Sequence, residues 1–153
     1  MIIERLAAAH DVDTFRCGNE DLDLWLRHAA LTADRAGTSR VYVHLDDDRV
    51  AGYFAIAPHL VRRSDVPSSI GRGAPDTIPG FLLARLALAA DLKGGGRGGE
   101  LLVAALENIL QAILLGGGRL IVVDAIDDNA AGFYRHYGFK PTPTDPDRLV
   151  MNR

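Results

Sequence analysis

The sequence has a single cysteine, Cys17, which excludes a disulfide within the chain and fits a reducing compartment. It opens without an apolar leader: Met1-Ile2-Ile3-Glu4-Arg5-Leu6 carries charges where a secretory signal needs an uninterrupted hydrophobic run. No stretch reaches membrane-spanning length free of charges or glycine clusters. A cytoplasmic protein with no membrane association is therefore expected. Basic excess is missing as well, and a net charge of −3 argues against a general nucleic-acid binder. Repeats and linkers are absent. With 153 residues, 48% of them hydrophobic and 24% charged, the chain is expected to fold as one domain, 1–153, around a substantial core.

Charge is unevenly spread. Residues 62–97 hold Arg62, Arg63, Arg72, Arg85, Lys93 and Arg97 against Asp65, Asp76 and Asp91, a local balance of +3 that leaves −6 for the remainder. A positive middle suits a polyanion, although arginines in loops are ordinarily just solvated.

What is abundant is glycine, and its placement is organised. Lys93-Gly94-Gly95-Gly96-Arg97-Gly98-Gly99 separates an apolar run, Phe81 to Ala90, from Leu101 to Leu110, whose apolar residues recur at helical spacing. Strand, glycine loop and helix in this order build a phosphate cradle. Glycines let consecutive backbone N–H groups converge, and the helix N-terminus adds partial positive charge. A flexible loop without a ligand is the bland alternative.

Ile2 to Leu6 reads as a first strand. Asn19 offers a cap for a helix whose apolar stripe is Leu22, Trp25, Leu26 and Ala29. Arg40 to Leu45 and Val50 to Ala57 form a hairpin about a polar turn, Asp46-Asp47-Asp48-Arg49, in which three adjacent carboxylates cannot converge on one ion. Arg62 to Pro79 reads as a long proline- and glycine-rich connection, expected to lid or shape a substrate entrance. The helix after the glycine loop runs to Leu115 and stops at Gly116-Gly117-Gly118. Leu120 to Ala125 has the continuous apolar pattern of a strand buried on both faces. Asp127-Asp128-Asn129 can cap the next helix, Ala130 to Tyr137, which Gly138 ends. Phe139-Lys140 and Leu149 to Met151 are the last strand candidates.

Two blocks resemble a known family. Lys93-Gly94-Gly95-Gly96-Arg97-Gly98 is similar to the Gln/Arg-x-x-Gly-x-Gly/Ala loop of the GCN5-related N-acetyltransferases (GNAT). Ala130-Ala131-Gly132-Phe133-Tyr134-Arg135-His136-Tyr137-Gly138-Phe139 resembles their Ala-x-x-Phe-Tyr-x-x-x-Gly-Phe signature. Phe15-Arg16-Cys17-Gly18 through Trp25-Leu26, Val50-Ala51-Gly52-Tyr53-Phe54-Ala55 and Ile78 to Ala87 are similar to segments of the subset that act as toxins of toxin–antitoxin pairs. The resemblance covers nearly the whole chain.

It implies an α/β (α+β) fold with a central mixed, mostly antiparallel twisted sheet of six to seven strands flanked by about four helices. It also implies acetyl-CoA as co-substrate, without a metal. Cofactor contacts fall to Ala87, Leu88, Lys93, Gly94, Gly95, Gly96, Arg97, Gly98, Gly99 and Asn129. The relatives acetylate the α-amine of aminoacyl-tRNA, are neutralised by a ribbon-helix-helix antitoxin and form homodimers. Three positions depart from the pattern: Lys93 replaces Gln or Arg and loses the planar fork, Ala89 stands where Asp is frequent, and Asp127 where many carry Asn.

The chemistry assigns roles within that frame. An unprotonated amine attacks the thioester and a thiolate leaves. A proton donor assists departure, and Tyr134 matches the family position for this general acid, against a purely packing role. No base is evident, which suits an α-amine with pKa near about 8 better than a lysine near about 10.4. His59 and Asp124 are the remaining candidates for a base. Backbone N–H groups near Ala87 and Leu88 can polarise the thioester carbonyl. Arg40, Arg62, Arg63, Arg72 and Arg85 are the candidates for substrate phosphates, Arg85 being equally suited to a buried structural role. Acetylation of a small-molecule or protein amine, and a weakly catalytic CoA-binding scaffold, are the competing readings.

Overall fold

A computed structural model describes residues 1–152. Strand β1 (Ile2–Arg5) precedes helices α1 (Glu20–His28) and α2 (Ala30–Ala36), and strands β2 (Arg40–Asp46) and β3 (Arg49–Arg62) follow. After the four-residue helix α3 (Ser68–Gly71) come β4 (Thr77–Leu88), α4 (Arg97–Gly116), β5 (Leu120–Asp124), α5 (Asp128–His136), β6 (Lys140–Pro141) and β7 (Arg148–Asn152). The strand order is β1-β2-β3-β4-β5-β7-β6, a mixed and mostly antiparallel seven-stranded sheet, as expected. Among the described residues there are five α-helices, one more than the four expected, the short α3 being the addition. The chain divides into two compact units, Met1–Ala57 with Ala84–Asn108, and Pro58–Leu83 with the chain from Ile109 onward.

In the first unit β1 pairs antiparallel with β2, and β2 with β3 through a tight hairpin whose loop residue Asp47 has φ 54°. Asn19 caps α1 by accepting from the Leu22 N–H at 3.0 Å. The helix breaks at Ala29 and restarts as α2, which ends at Gly37 in the left-handed region. Asp34 on α2 has a buried carboxylate that accepts from Arg5 Nη2 at 2.6 Å and from the Val41 N–H at 3.0 Å, tying α2 to β1 and β2. The core joins Phe15, Cys17, Leu26, Val41, Val43, Tyr53, Ala55 and Ala87. Tyr53 meets Phe15 edge-on at 5.7 Å and stacks with Trp25 at 6.1 Å, which makes Trp25 a packing residue.

In the second unit β4 runs parallel to β5 from Gly80 to Leu83, and β5 pairs antiparallel with β7. A Cβ at Gly80 would lie 2.3 Å from the Leu120 carbonyl oxygen, so only glycine allows this close approach. Leu120, Ile121, Val122 and Val123 are all buried, as the apolar run implied.

Two sequence expectations change. The connection from Arg62 to Pro79 is not a structureless loop: β3 extends to Arg62, a 3-10 turn spans Arg63–Asp65, α3 follows, and β4 begins at Thr77. Val66, Ile70, Ala74 and Ile78 supply the reason, because they are buried with Val61, Leu120, Val122 and Val150. Helix α4 starts at Arg97, not Leu101, so Arg97, Gly98 and Gly99 form its first turn. By length and composition α4 is apolar enough to cross a membrane. Leu101, Leu102, Ala105, Ile109 and Ile113 are buried in protein at helical spacing, the pattern of a core helix.

Candidate active site

The glycine loop leaves β4 through a 3-10 turn, Ala90–Leu92, and enters α4. Its start is tied down by the Ala89 N–H donating to Ala51 O at 2.8 Å and the Ala90 N–H donating to Arg16 O at 2.9 Å. Gly94 and Gly96 have φ of 90° and 83°, a region costly for residues with a Cβ. A Cβ on Gly94 or Gly96 would meet nothing within 4 Å, so the glycines serve the path of the chain, with open space beside it. The Glu100 N–H donates to Gly96 O at 3.3 Å, the first helical bond of α4. The N–H groups of Arg97, Gly98 and Gly99 precede it and have no acceptor within the helix. Backbone donors, a helix N-terminus and open space fit an acetyl-CoA pyrophosphate.

The charges beside this loop are partly committed. Lys93 Nζ donates to Cys17 O at 2.5 Å and braces the loop against the segment ahead of α1. One of its three N–H donors is thereby committed, and the other two and the charge remain beside the loop. Arg97 reaches Asp46 at 3.4 Å, a loose contact that leaves guanidinium donors available. Cys17 is buried, and burial followed by the Asp23 carboxylate pushes its thiol up to about 11, so it is no nucleophile. Ala87 and Leu88 are buried at the end of β4, four and five residues beyond the last position, Leu83, in register with β5.

Tyr134 lies in the second unit on α5. Asp127 caps this helix by accepting from the Ala130 N–H at 2.8 Å, and Gly138 at φ 97° ends it. Asn129 is exposed in the first turn. The Tyr134 ring is 8% exposed and packs edge-on against Phe139 at 5.6 Å and Phe133 at 5.5 Å. Burial pushes its phenol up to about 12, so the hydroxyl keeps its proton throughout the neutral range.

The five candidate arginines separate by their partners. Arg40 donates to the Asp34 carbonyl at 2.8 Å, and Arg63 to Ala74 O at 2.8 Å and Asp76 Oδ1 at 2.6 Å. Arg85 stacks over Trp25 at 4.3 Å from the ring centroid, with its buried Nε lacking a partner. Neither Arg62 nor Arg72 has a carboxylate partner among the described residues of its unit.

No protein-family model matches the chain. A tRNA-acetylating toxin of Mycobacterium tuberculosis is 40% identical over 147 residues, spanning 96% of this chain and 89% of that protein. The chain belongs to the tRNA-acetylating toxins of the GNAT family. A probable toxin, TacT, of Sinorhizobium fredii is 29% identical over 93% of this chain and 84% of its own length. AtaT complexed with acetyl-methionyl-tRNA superposes with a TM-score of 0.90 at 28% identity, covering 99% of this chain and 94% of AtaT. An AtaT variant with tyrosine replaced by phenylalanine, bound to acetyl-CoA and the C-terminus of the antitoxin AtaR, gives 0.83 at 28% identity, covering 99% and 92%.

Against this GNAT background, the two candidate bases are found already engaged. Arg148, at the start of β7, donates from Nε and Nη2 to both oxygens of Asp124 and from Nη1 to His59 Nε2 at 3.1 Å. Burial and then Arg148 hold the imidazole below its usual range, which keeps His59 neutral with its Nε2 lone pair occupied. Sequence reasoning missed Arg148. The only available signal was the antiparallel pairing that places it opposite Asp124, which requires knowing the register.

Proposed function

We propose that this chain transfers the acetyl group of acetyl-CoA to the α-amine of an aminoacyl-tRNA and so blocks translation. The observation that carries the reading is the strand–glycine loop–helix cradle, Leu88 to Gly99, in a chain matching tRNA-acetylating relatives over nearly its full length. Backbone N–H groups from Gly94 to Gly99 hold the pyrophosphate, with Arg97 adding charge. Acetyl-CoA supplies an activated thioester. Main-chain donors at Ala87 and Leu88 polarise its carbonyl as the amine attacks.

The new bond is N–C, the broken one C–S, and the leaving sulfur takes a proton from Tyr134 Oη, which regains one from water before the next turnover. The amine's surplus proton passes to water. An acceptor amine near about pH 8 is partly neutral unaided, so no protein base is required. The engagement of His59 and Asp124 by Arg148 supports this base-free reading.

The proposal extends to its setting: a homodimer in the cytoplasm, held inactive by a ribbon-helix-helix antitoxin. The complexes of AtaT with the antitoxin AtaR support an antitoxin partner of some kind. The test is acetyl transfer from labelled acetyl-CoA to bulk charged tRNA, with free amino acids and polyamines as parallel acceptors. Label on tRNA that is lost on deacylation is the expected result. Label confined to small amines, or none, overturns the reading.

A further inference from the structure

Helix α5 has nine residues, too few to hold its own shape or direction in water, so its placement is set by what fastens its two ends. Both ends are fastened to Arg148. Ahead of the helix, the ladder between β4 and β5 ends at Leu83–Val123, one residue short of Asp124, which leaves Asp124 held from the β7 side. There the Arg148 guanidinium takes both carboxylate oxygens, through Nε at 2.7 Å and Nη2 at 2.8 Å, and the Ala125 N–H donates to Asp147 O at 2.7 Å. Asp127, the cap of α5, follows three residues after Asp124. Behind the helix, the chain returns through Phe139 and β6, and the Thr142 N–H donates to the Arg148 carbonyl at 2.9 Å. Side chain and main chain of one residue thus bracket the helix that carries Tyr134.

The bracket has a third anchor. Nη1 of Arg148 reaches His59 Nε2 on β3 at 3.1 Å, so the guanidinium spans from β7 to β3. Arg148 and Asp124 line a hollow of about 630 Å³ with Arg62, Asp65, Asp145 and Asp147. In the neighbouring hollow His59 borders apolar residues and glycines, with no other titratable group. Burial and then Arg148 hold the imidazole below its usual range, against the pull of Asp124. A proton on Nε2 removes the acceptor and sets two cations against each other. Asp124 is half-exposed, so the ion pair adds little to stability. What it supplies is geometry, because the planar fork of arginine fixes both position and direction.

We propose that Arg148 is a positioning residue for the reaction: it fixes both ends of α5, and with them the Tyr134 hydroxyl that protonates the leaving sulfur, with His59 as its third anchor. The inference rests on the proposed proton transfer from Tyr134. A group misplaced by about 1 Å can cost about 10²-fold in rate, so loss of the bracket should show in kcat and spare the binding of acetyl-CoA.

The test combines Arg148→Ala with Tyr134→Phe in a double-mutant cycle, read as acetyl transfer to charged tRNA. Arg148→Ala alone should lower kcat about tenfold or more, with KM for acetyl-CoA within about twofold. In the Tyr134→Phe background the same change should cost less than about twofold, because the hydroxyl it places is already gone. Arg148→Lys keeps the charge without the fork and should lose turnover in the same way; it carries the test if the Ala variant does not fold. His59→Gln offers an oxygen acceptor in place of Nε2 and cannot titrate. The ratio of kcat in the unaltered chain to that in His59→Gln should be constant above about pH 6.5 and fall as pH drops through the His59 titration, the acceptor amine's own titration cancelling. NMR of chains labelled in the tyrosine rings follows the Tyr134 signal, assigned by its loss in Tyr134→Phe. That signal should move in Arg148→Ala while those of Tyr42 and Tyr53, in the first unit, stay.

Losses that add in the cycle overturn the inference, as does a Tyr134 signal that Arg148→Ala leaves unmoved. A ratio that stays constant through the His59 titration overturns the part given to His59. Where Tyr134→Phe loses no turnover, or charged tRNA is not acetylated at all, the proposed reaction falls and the ring signal alone decides whether Arg148 brackets α5.

Discussion

Arg148 donates from Nε and Nη2 to the two carboxylate oxygens of Asp124, at 2.7 and 2.8 Å, across the antiparallel pair of β5 and β7. The same guanidinium reaches His59, and after burial its charge is the second cause that lowers that imidazole's pKa. Replacing Arg148 by Ala removes one of the two causes that lower the His59 pKa and leaves Asp124, which raises it. The His59 titration followed by NMR should therefore move upward in Arg148→Ala. An unmoved titration would show that the contact does not persist in solution.

The depressed His59 value also carries a stability consequence. Its folded-state pKa lies below the unfolded value of about 6.5, so the unfolded chain binds the proton more readily. The stabilising contribution is complete above about pH 6.5 and is lost as pH falls through the folded value. Urea midpoints should decline as pH is lowered below about 6.5, and the decline should be shallower in His59→Gln.

Tyr134→Phe deletes the hydroxyl and leaves the ring packed against Phe139 and Phe133. Turnover should fall by about 10²-fold or more while acetyl-CoA binds with unchanged affinity. Because burial pushes this phenol up to about 12, the unaltered enzyme should show no loss of kcat from Tyr134 ionisation below about pH 10. Stopped-flow thiol release for the rate, and calorimetry for binding, separate the two effects. Equal turnover in the variant would end the assignment of Tyr134 as proton donor.

Two kinds of glycine should respond differently to alanine. Gly94→Ala and Gly96→Ala meet no neighbour but force a Cβ into positive φ, at about 1 kcal/mol or more each. Acetyl-CoA affinity should drop severalfold, with Tm lowered by about 2–4 °C in each. Gly80→Ala drives a Cβ into Leu120 O, so it should lower Tm by several degrees or block folding.

Asp34 joins Arg5 and the Val41 N–H from a buried position. Burial opposes its charge, but the bonds from Arg5 and Val41 and the nearby Arg40 outweigh that and hold the carboxyl below its ordinary value of 3.8. This contribution is present above about pH 3.8 and lost as pH falls through the folded value. Asp34→Asn should destabilise by about 2 kcal/mol in urea melts, the half-exposed Arg5 limiting the ionic share.

The sequence by itself determined the local features of this protein. Asn19, Asp127 and Gly138 cap or end their helices, the glycines at 94 and 96 bend the loop, and Leu120 to Val123 fill a buried strand. Each of these follows from a residue's own dihedral or hydrogen-bonding preference, or from spacing along a few residues. Tyr134 stands in a short contiguous pattern that resembles the family's signature, and its role as proton donor is part of the proposed function.

Only the tertiary structure decided which charges are spent and which are free. Lys93 finds its acceptor 76 positions earlier at Cys17, Arg148 reaches back to Asp124 and His59, and Arg63 closes on Asp76 while Arg62 and Arg72 stay unpaired within their unit. The segment from Arg62 to Pro79 looked like an open connection because its prolines and glycines signal turns. Its buried Val66, Ile70 and Ala74 gain their partners only once β5 and β7 are in place. A long side chain's partner depends on strand register and on which distant element arrives beside it, information that pairs of residues hold jointly and no single stretch carries.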